Sequence, residues 1–581
     1  MGNLQTSIPI PPEVEDDGAP LPSDASPMDF GPNVLIFDPS MSPADIQSKC
    51  DTIFQTQQSN QFGQERFALL FKPGSYDAKV QVGFYTTLHG LGAIPDAVTI
   101  TGGVNVTATW FQGNATQNFW RGIENVTIVP TVFSNSAMWA TSQGTWLRRT
   151  HWRGFLQLFD FTASGVNWSS GGFIADSVVD DDVISGSQQQ YLTRNTSFRA
   201  WYGAVWNMVF VGDTNPPAGT WPNPPFTVVG NTPVVREKPY LVFDAATGYS
   251  MVVPGLRQDS QGPSWNAAGS TGPSSTIPLS QFYIAHADKD NAISLNKALQ
   301  RKKHLFLTPG VYQLSQPLVV RNSNTVVYGL GVATLMPTQG TPAIIVADVD
   351  GVTIAGLLLD AGSTLSPNLL QLGNNNVSTT DHSANPTALF DISCRVGGAA
   401  PGAQTNCCVV INSRNIIVDN MWLWRADHGK NPTGWTVNPS VTGLLVAADN
   451  VTCYGLFVEH FEGTQTHWFG NGGRVHFYQS EIPYDVPDQQ AWMAGNEKGF
   501  PAYKVDDAVT THEAHGLGVY CFFTNAVQLD NAIETPAKDG VKMAHMVTRF
   551  LGGNADSGIN HIINGTGAAV NTGNATSFSS N

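Results

Sequence analysis

The sequence predicts an all-β fold made of two right-handed parallel β-helices in one chain, each with a short capping helix. Three observations lead to this fold class. Short β-branched segments end at Gly, Asn or Asp, with no helical period between most of them. Similar strands return at intervals of roughly 20–35 residues, as the coils of a β-helix do. A third observation is that one combination of helix, strand and turn occurs twice in the chain.

Residues 1–32 are predicted to form an extended N-terminal segment. This segment lacks the basic and apolar regions of a signal peptide. The opening MGNLQT matches the loose myristoylation pattern, with Gly2 and Thr6 in place. An artificial or trimmed start is nevertheless the preferred interpretation.

Two segments of the chain start in the same way, which predicts two β-helices, each capped by a short helix. The segment ADIQSKCDTIFQTQQ precedes a strand and the turn PGSY, and DKDNAISLNKALQRKKH precedes a strand and PGVY. A helix in this place can cap the open end of a β-helix and cover its first strand edge. We therefore predict a first β-helix over residues 33–254, a linker rich in Gly, Ser and Pro over 255–275, and a second β-helix over 276–581.

The strand recurrence is clearest in the second half. Most of its strands begin with Asn followed by apolar, Thr or Ile residues, as in residues 324–327, 415–418 and 450–452, and residues 352–354 and 474–477 are near-equivalents. Stacked coils place like residues in ladders, which suits this Asn, Val and Ile content. A sandwich or a propeller is also β-rich but fits the recurrence less well.

The amino-acid composition indicates which kinds of ligand and macromolecular partner the protein can bind. Only 13% of the 581 residues are charged, and 29 Lys and Arg against 45 Asp and Glu give a formal charge of −16. This balance disfavours nucleic acid, whose phosphates need concentrated basic residues. No stretch approaches the roughly 18 apolar residues of a membrane helix. We predict no membrane or nucleic-acid partner, a monomer, and a neutral ligand.

The numbers of cysteines and of Asn-x-Ser/Thr sites indicate whether the protein is secreted. Six cysteines are too sparse for a disulfide scaffold, although one or two bridges within the second half are compatible with their positions. Nine Asn-x-Ser/Thr sites occur in the chain. In an Asn-rich sequence many such sites arise by chance, so they only favour a secreted glycoprotein.

Familiar cofactor and metal motifs are missing from the sequence. It holds no Gly-rich phosphate loop, Cys-x-x-Cys pair, His-Glu-x-x-His helix or Gly-x-Ser-x-Gly elbow. His512 and His515 flank Glu513, but they lie among strands and Gly, so turn or core residues are the preferred interpretation. We therefore expect no cofactor and no metal.

Glu459 and Glu481 form the strongest chemical pattern. Each ends an apolar strand, and the interval from position 459 to position 481 matches one coil of the expected length. If that interval is one coil, the two carboxyl groups project from the same edge about 5 Å apart along the stack. Neighbouring carboxylates resist being ionised together, so one pKa rises and that group can act as a general acid. Solvated rungs are an equally good interpretation of such a pair.

Aromatic side chains surround this pair in the sequence. Flat apolar rings suit the faces of sugar rings, and the candidates are His467, Trp468, Tyr478 and Tyr484. Asp427 and His428, in RADHG, either line the same site or close a turn.

Several segments together resemble glycoside hydrolase family 55, the double β-helix β-1,3-glucanases of the pectate-lyase-like superfamily. The N-terminal stretch of the chain departs from the family pattern, so the resemblance is to a divergent member. The segments are LFDISCRVGGAA, NMWLWRADHG, the run from GLLVAADNVTCYGLFVEH to QSEIPYDVP, SSGGFIADSVV and GSQQQYLTRNTSFR.

The resemblance implies roles for individual residues. Glu481 corresponds to the family's catalytic acid, and Glu459 to its supporting glutamate. A Gln of the first β-helix holds the attacking water in that family, which implies Gln189 or Gln190 here. Its partner hydroxyl has no clear match, and Thr214 is a weak candidate. The implied reaction is hydrolysis of a neutral β-glucan by an inverting mechanism, with β-1,3 linkages and exo action favoured.

Two alternatives come from other functional classes. SVVDDDVISG, with Asp180, Asp181 and Asp182, is similar to the grouped aspartates of polygalacturonase-like β-helices. Clustered Asp at a turn is more often solvated or bound to calcium, and a chain of charge −16 should repel polyuronates. The other alternative is a non-catalytic carbohydrate-binding β-helix, as in adhesins.

Overall fold

A computed structural model describes residues 6–25, 28–131, 137–162, 165–266 and 274–580. Within these ranges the α-helices are Pro43–Gln57 and Ala292–Gln300. Short 3₁₀ turns occupy Pro22–Ala25, Pro95–Ala97, Thr109–Phe111 and Leu279–Gln281. The remaining regular structure of the described chain is β, as predicted.

Fourteen strands of the first half form one coiled parallel sheet. They are Val34–Phe37, Phe67–Phe71, Gly74–Asp77, Thr86–Gly90, Val98–Thr101, Arg121–Val129, Thr145–Trp152, Leu156–Gln157, Phe173–Ala175, Val178–Ile184, Gln190–Arg194, Ser197–Tyr202, Asn207–Val211 and Phe226–Val229. Two strand pairs stand apart: Val80–Gln81 with Val104–Asn105, and Phe161–Thr162 with Gly165–Val166.

The second half contributes two sheets, one strand to each from most coils. The twelve-stranded inner sheet contains Phe282–Ala285, His304–Leu307, Val311–Leu314, Val326–Pro337, Thr353–Asp360, Ala388–Val396, Ile417–Arg425, Thr452–Glu459, Gly473–Glu481, His512–Phe523, Val541–Gly553 and Thr576–Ser579. The nine-stranded outer sheet contains Leu318–Val320, Ile344–Val346, Ser366–Leu372, Thr405–Ile411, Ser440–Val446, Thr466–Trp468, Tyr503–Val505, Gln528–Glu534 and Gly558–Ile563. A small hairpin pairs Met493–Ala494 with Glu497–Lys498. The inner sheet is parallel except at Thr576–Ser579, which closes it antiparallel to Val541–Gly553.

The connection between the halves is more ordered than the sequence predicted. Antiparallel strands fill it: Thr232–Arg236, Tyr240–Asp244, Gly248–Val253, Leu256–Ser260 and Ser275–Pro278. Leu256–Ser260 lies inside the predicted linker 255–275, of which residues 267–273 are outside the described residues. Composition missed this strand because two other strands separate it along the chain from its pairing partner, Thr232–Arg236. The coils of the first half accordingly end at Val229.

The repeated beginning is the same structure built twice. Each copy has a strand, a capped helix, a second strand and the Pro-Gly-x-Tyr turn. The Tyr76 hydroxyl donates to the carbonyls of Phe37 (3.1 Å) and Lys72 (2.7 Å). The Tyr312 hydroxyl donates in the same way to Ala285 (2.8 Å) and Thr308 (3.0 Å). In both copies a buried tyrosine thus ties the first two strands together.

Residues with a left-handed backbone conformation bend the chain at the same position in successive coils. In successive strands of the inner sheet, Asp391, Asn420, Gly455, Phe477 and Gly516 have φ of 51°, 67°, 68°, 71° and 68°. Gly, Asn and Asp tolerate this region best, which explains why these residue types recur at the interval of one coil. Phe477 is the exception, and its ring packs into the contact between the halves.

Some Asn-x-Ser/Thr sites belong to equivalent corners of the first half. Asn125 and Asn195 are buried and left-handed. The Asn125 side chain donates to the carbonyls of Gly90 (2.9 Å) and Gly92 (2.7 Å). A glycan cannot attach to an amide held this way inside the fold, so these two sites reflect coil geometry and give no support to a secreted glycoprotein.

A buried ionic network joins the halves. Arg148, for example, donates to Asp391 (2.9 Å) and Asp419 (2.6 Å), which belong to the inner sheet. The network contains five basic and five acidic side chains, all under 9% exposed: Arg148, Arg149, Arg194, Lys238 and Arg257 with Glu124, Asp176, Glu237, Asp391 and Asp419. Because charges of both signs are equal in number, the contact is neutral while fixing how the halves meet.

All six cysteines are buried and free, so the disulfide bridges considered from the sequence are not formed. No helix within the described ranges is long and apolar enough to cross a membrane.

Candidate active site

A cleft of about 220 Å³ lies where the two halves face each other. The first half lines it with Thr116, Gln117, Phe119, Gln143, Ser170 and Gln189, and the second half with Trp424, Asp427, His428, Glu459, His460, Glu481, Tyr484 and Leu551. Both halves are therefore needed to form it.

The structure brings Glu459 and Glu481 together, as the sequence predicted. Their strands, Thr452–Glu459 and Gly473–Glu481, are neighbours in the inner sheet, and their register places Phe457 opposite Gln479. The backbone N–H of His460 donates to the Glu481 carbonyl at 2.8 Å, which locks the two strand ends side by side.

Burial dominates the electrostatics of this pair. It raises the pKa of Glu459 well above the usual value, and the charge of Glu481 adds to the effect. Burial also raises the pKa of Glu481, against the opposing influence of His460 and of the Tyr484 hydroxyl, which donates to its carboxyl. Burial thus favours the protonated form of both carboxyl groups, and a general acid has to hold a proton before it can donate one.

Asp427 and His428 line the cleft, one of the two interpretations left open by the sequence. The Asp427 carboxylate lies 3.0 Å from the His428 ring and 3.7 Å from that of His460. Burial opposes ionisation of Asp427, but His460 and then His428 outweigh it and hold its pKa below the usual range. An anionic Asp427 therefore stands beside Glu481.

Gln143 is the residue from the first half that reaches the carboxyl pair. Its amide donates to Glu459 Oε1 at 2.8 Å, and its carbonyl oxygen accepts from the Ser170 hydroxyl at 3.1 Å. The indole of Trp422 donates to the other oxygen of Glu459 at 2.8 Å. Both Glu459 oxygens are thus engaged, and Gln143 and Ser170 face the cleft opposite Glu481.

Sequence reasoning missed Gln143 and Ser170. They lie on consecutive coils of the first half, whereas Glu459 belongs to the second, and no local spacing links them to it. Thr214, the weak candidate for the hydroxyl, hydrogen-bonds to the backbone of Thr196 instead. The sequence feature that could have identified them is weak: Gln143 and Ser170 each precede a Gly, as in SQG and SSGG.

Of the two predicted glutamines, Gln189 lines the cleft and Gln190 does not. Gln190 begins a strand, is fully buried, and donates to the Ser170 carbonyl at 2.6 Å. Successive residues of a strand face opposite sides, so only one of two adjacent glutamines can reach the cleft. Gln190 supports the backbone of Ser170 from behind.

Three predicted sugar contacts lie elsewhere, while Tyr484 is in the cleft. Trp468 and Tyr478 are fully buried in the core of the second half because they occupy inward positions of their strands. His467 points outward from the outer sheet, into a different groove. The rings that line the cleft are instead those of Trp424 and Phe119, and the buried Trp422 packs behind them, 4.5 Å from Phe119.

Further residues of the first half pack against the lining of the cleft. The Gln61 amide lies 2.7 Å from His428 Nε2. Phe62 meets the His428 ring edge-on at 5.7 Å and stacks on Trp424 at 6.3 Å. Behind Gln189, Trp206 donates its backbone N–H to the Gln189 carbonyl (2.9 Å) and stacks against Trp168, which is 50% exposed.

The grouped aspartates of the polygalacturonase-like alternative are not part of the cleft. Asp182 and Asp181 pair with the exposed Arg199, and Asp180 pairs with His151 on the surface of the first half. Within the described ranges, no group of three or more His, Cys, Asp or Glu residues is arranged to hold a metal ion.

Comparison with known proteins identifies the family. The LAM55 pectate lyase-like domain matches residues 282–481. The exo-beta-1,3-glucanase of Streptomyces sp. (strain SirexAA-E / ActE) is 46% identical over 542 residues, which are 93% of this chain and 87% of that protein. The solved structure of sacteLam55A from Streptomyces sp. SirexAA-E superposes with a TM-score of 0.90 at 44% identity, over 95% of this chain and 98% of that one. A variant of sacteLam55A in complex with glucose matches equally well. The chain belongs to glycoside hydrolase family 55, the family that its sequence motifs resemble.

Proposed function

We propose that this protein is a secreted, monomeric exo-β-1,3-glucanase that hydrolyses a neutral glucan with inversion. The observation that carries the proposal is the arrangement across the cleft: Glu481 on one side, and Gln143 and Ser170 on the other. The related exo-beta-1,3-glucanase of Streptomyces supports the linkage and the mode of attack.

Glu481 is the general acid. Burial raises the pKa of Glu481 and so favours its protonated form, and the Tyr484 hydroxyl donates a hydrogen bond to its carboxyl group. Proton transfer to the glycosidic oxygen lets the leaving sugar depart as an alcohol. Asp427 favours the protonated form of Glu481, because its negative charge raises the pKa of that group.

Water is the nucleophile. The Ser170 hydroxyl and the Gln143 amide offer it hydrogen bonds, and Glu459 fixes the Gln143 side chain. Glu459 itself is a poor nucleophile, because it is 3% exposed and both of its oxygens accept hydrogen bonds. As the glycosidic bond breaks, water bonds to the anomeric carbon on the side opposite the departing oxygen, which inverts that centre. The proton that the water then loses passes to solvent in the cleft.

The shape of the cleft supports exo action. The contact of Gln61 and Phe62 with His428 packs the two halves together beside the cleft, and we infer that it limits a glucan chain to entering by its terminus. Trp168, stacked on Trp206, offers an exposed ring to the following sugars.

Product analysis tests this proposal. Incubation with laminari-oligosaccharides should release glucose from one end, and NMR should detect α-glucose before mutarotation equilibrates the anomers. A panel of β-1,3-, β-1,6- and mixed-linkage glucans and polygalacturonate gives the linkage. Initial β-glucose would contradict inversion, and a ladder of internal fragments would contradict exo action.

A further inference from the structure

A second and larger groove lies on the outer sheet, away from the contact between the halves. Its volume is about 670 Å³, against about 220 Å³ for the active-site cleft. The floor is a row of neighbours across three strands, Leu445, His467 and Lys504. The walls carry the rings of Trp435 and Phe500, together with the 40% exposed Phe469.

The groove belongs to the coils that carry the catalytic pair. Glu459 ends its inner-sheet strand, and Glu462 reaches the groove within the turn that leads to the outer sheet. Between the two sites lies Arg425, which pairs with Asp485 at 2.8 Å and lies 3.7 Å from Glu462. A ligand in the groove would therefore sit behind the same segment of chain as the cleft.

Two polar atoms in the groove lack a hydrogen-bond partner within the described part of the chain. They are Glu462 Oε1 and His467 Nε2, on side chains that are 18% and 22% exposed. Each has a charged group just beyond hydrogen-bond distance, Arg425 at 3.7 Å from Glu462 and Asp506 at 3.9 Å from His467. Burial raises the pKa of Glu462 to about 7 and lowers that of His467 to about 4. Buried polar groups without partners are costly unless a ligand or water satisfies them.

Charge and surface type indicate the ligand class. Lys504 is already paired with Glu534 at 2.7 Å, so the described lining of the groove offers no free cation to an anionic ligand. It combines aromatic rings with uncharged hydrogen-bonding groups, including Asn406 and Thr442. Sugar rings present apolar faces for such aromatics and hydroxyls for such polar atoms.

We propose that this groove is a second, non-catalytic binding site for a neutral glucan chain, which retains the enzyme on polymeric substrate. Trp435 and Phe469 stack on sugar rings, and Glu462 and His467 bind their hydroxyls. The assignment of the sugar as a β-1,3-glucan rests on the proposed function, whereas the groove itself does not.

Binding is tested with hydrolysis removed. In a Glu481→Gln background, Trp435→Ala and Phe469→Ala should each weaken retention on insoluble β-1,3-glucan by about 3- to 10-fold. Tyr202→Ala, which removes a ring 56% exposed on the first half, is the matched control and should retain full binding. Circular dichroism and melting temperature establish that each variant is folded.

Kinetics separate this site from the cleft. In the active enzyme, Phe469→Ala should leave kcat/KM on laminaritriose unchanged but slow the hydrolysis of insoluble glucan.

Three results would overturn the proposal of a second glucan-binding site. If Trp435→Ala and Phe469→Ala both retain full binding to insoluble glucan, the groove is not such a site, whichever substrate the cleft hydrolyses. A change from dimer to monomer in Trp435→Ala, seen by light scattering, overturns it in favour of a second copy as the occupant. Retention that appears only after deletion of residues 1–5 overturns it in favour of the chain's own N-terminus.

Discussion

The Gln143 side-chain amide donates a 2.8 Å hydrogen bond to Glu459 across the boundary between the two β-helices. This contact connects the half that we propose to position the attacking water with the half that carries the proposed acid. It also orients the Gln143 carbonyl oxygen toward the Ser170 hydroxyl. The chemistry of the cleft thus depends on a pair of residues that lie 316 positions apart.

Glu481→Gln should abolish protonation of the leaving oxygen and leave the fold intact. We expect hydrolysis of β-1,3-glucan to fall about 10²- to 10⁴-fold, measured as initial rates of glucose release. An aryl glucoside with an acidic phenol needs little protonation, so its hydrolysis should fall far less. Equal losses on both substrates would exclude a general-acid role.

Gln143→Ala should lower kcat about 10²- to 10³-fold with little change in KM, because positioned water matters mainly in the transition state. Gln189→Ala is the matched control, since Gln189 lines the same cleft without a hydrogen bond to the carboxyl pair. Steady-state kinetics on laminari-oligosaccharides measure both. A larger fall in kcat for Gln189→Ala than for Gln143→Ala would instead assign the positioning of the attacking water to Gln189, the residue predicted from the sequence.

The alkaline limb of kcat/KM should report the pKa of Glu481, since a general acid acts only when protonated. Asp427 raises that pKa and His460 lowers it. Asp427→Asn should therefore move the limb to lower pH, and His460→Gln should move it to higher pH. pH–rate profiles of the two variants and the parent enzyme provide the measurement, and shifts in the same direction would contradict this electrostatic assignment.

Stability should fall with rising pH because of Glu459. Below about pH 4 the folded and unfolded states both hold its proton. Above that, the unfolded chain releases the proton while the buried group, with its raised pKa, retains it, so the free energy of unfolding decreases up to the folded-state pKa. Glu459→Gln should flatten this slope in melting curves, and Glu497→Gln, at an exposed position, should not. If the stability of Glu459→Gln still falls with pH as steeply as that of the parent protein, the pH dependence arises from other ionisable groups.

Arg148→Met should destabilise the protein by about 3–5 kcal/mol, because it leaves Asp391 and Asp419 buried beside an apolar side chain. Arg199→Met breaks an ion pair in which the arginine is 62% exposed, and should change the melting temperature little. Denaturant unfolding of both variants measures the difference. Comparable effects would mean that the network contributes no more than surface pairs.

The fold was predictable because its signals are local and repeated. Gly, Asn and Asp recur at coil corners such as Asp391 and Asn420, and the Pro-Gly-x-Tyr turn marks each beginning. Glu459 and Glu481 were predictable for the same reason, since one coil separates them.

The other side of the cleft was not predictable, because it arises from docking two halves whose contacts leave no periodic trace. Gln143 meets Glu459 only through that docking, and Ser170 is linked to Glu459 through Gln143. Trp468 and Tyr478 show the converse error: they are close to the pair in sequence, but inward strand positions bury them in the core. Proximity along the chain therefore identified the carboxyl pair and failed for its surroundings.

The matched beginnings tied by Tyr76 and Tyr312 make the chain an internal heterodimer, two modules that start alike and meet at an interface. The modules contribute differently to that interface. Asp427, Glu459 and Glu481 come from the second module, and Gln143, Ser170 and Gln189 come from the first. The complete lining of the cleft therefore exists only where the two unlike edges meet.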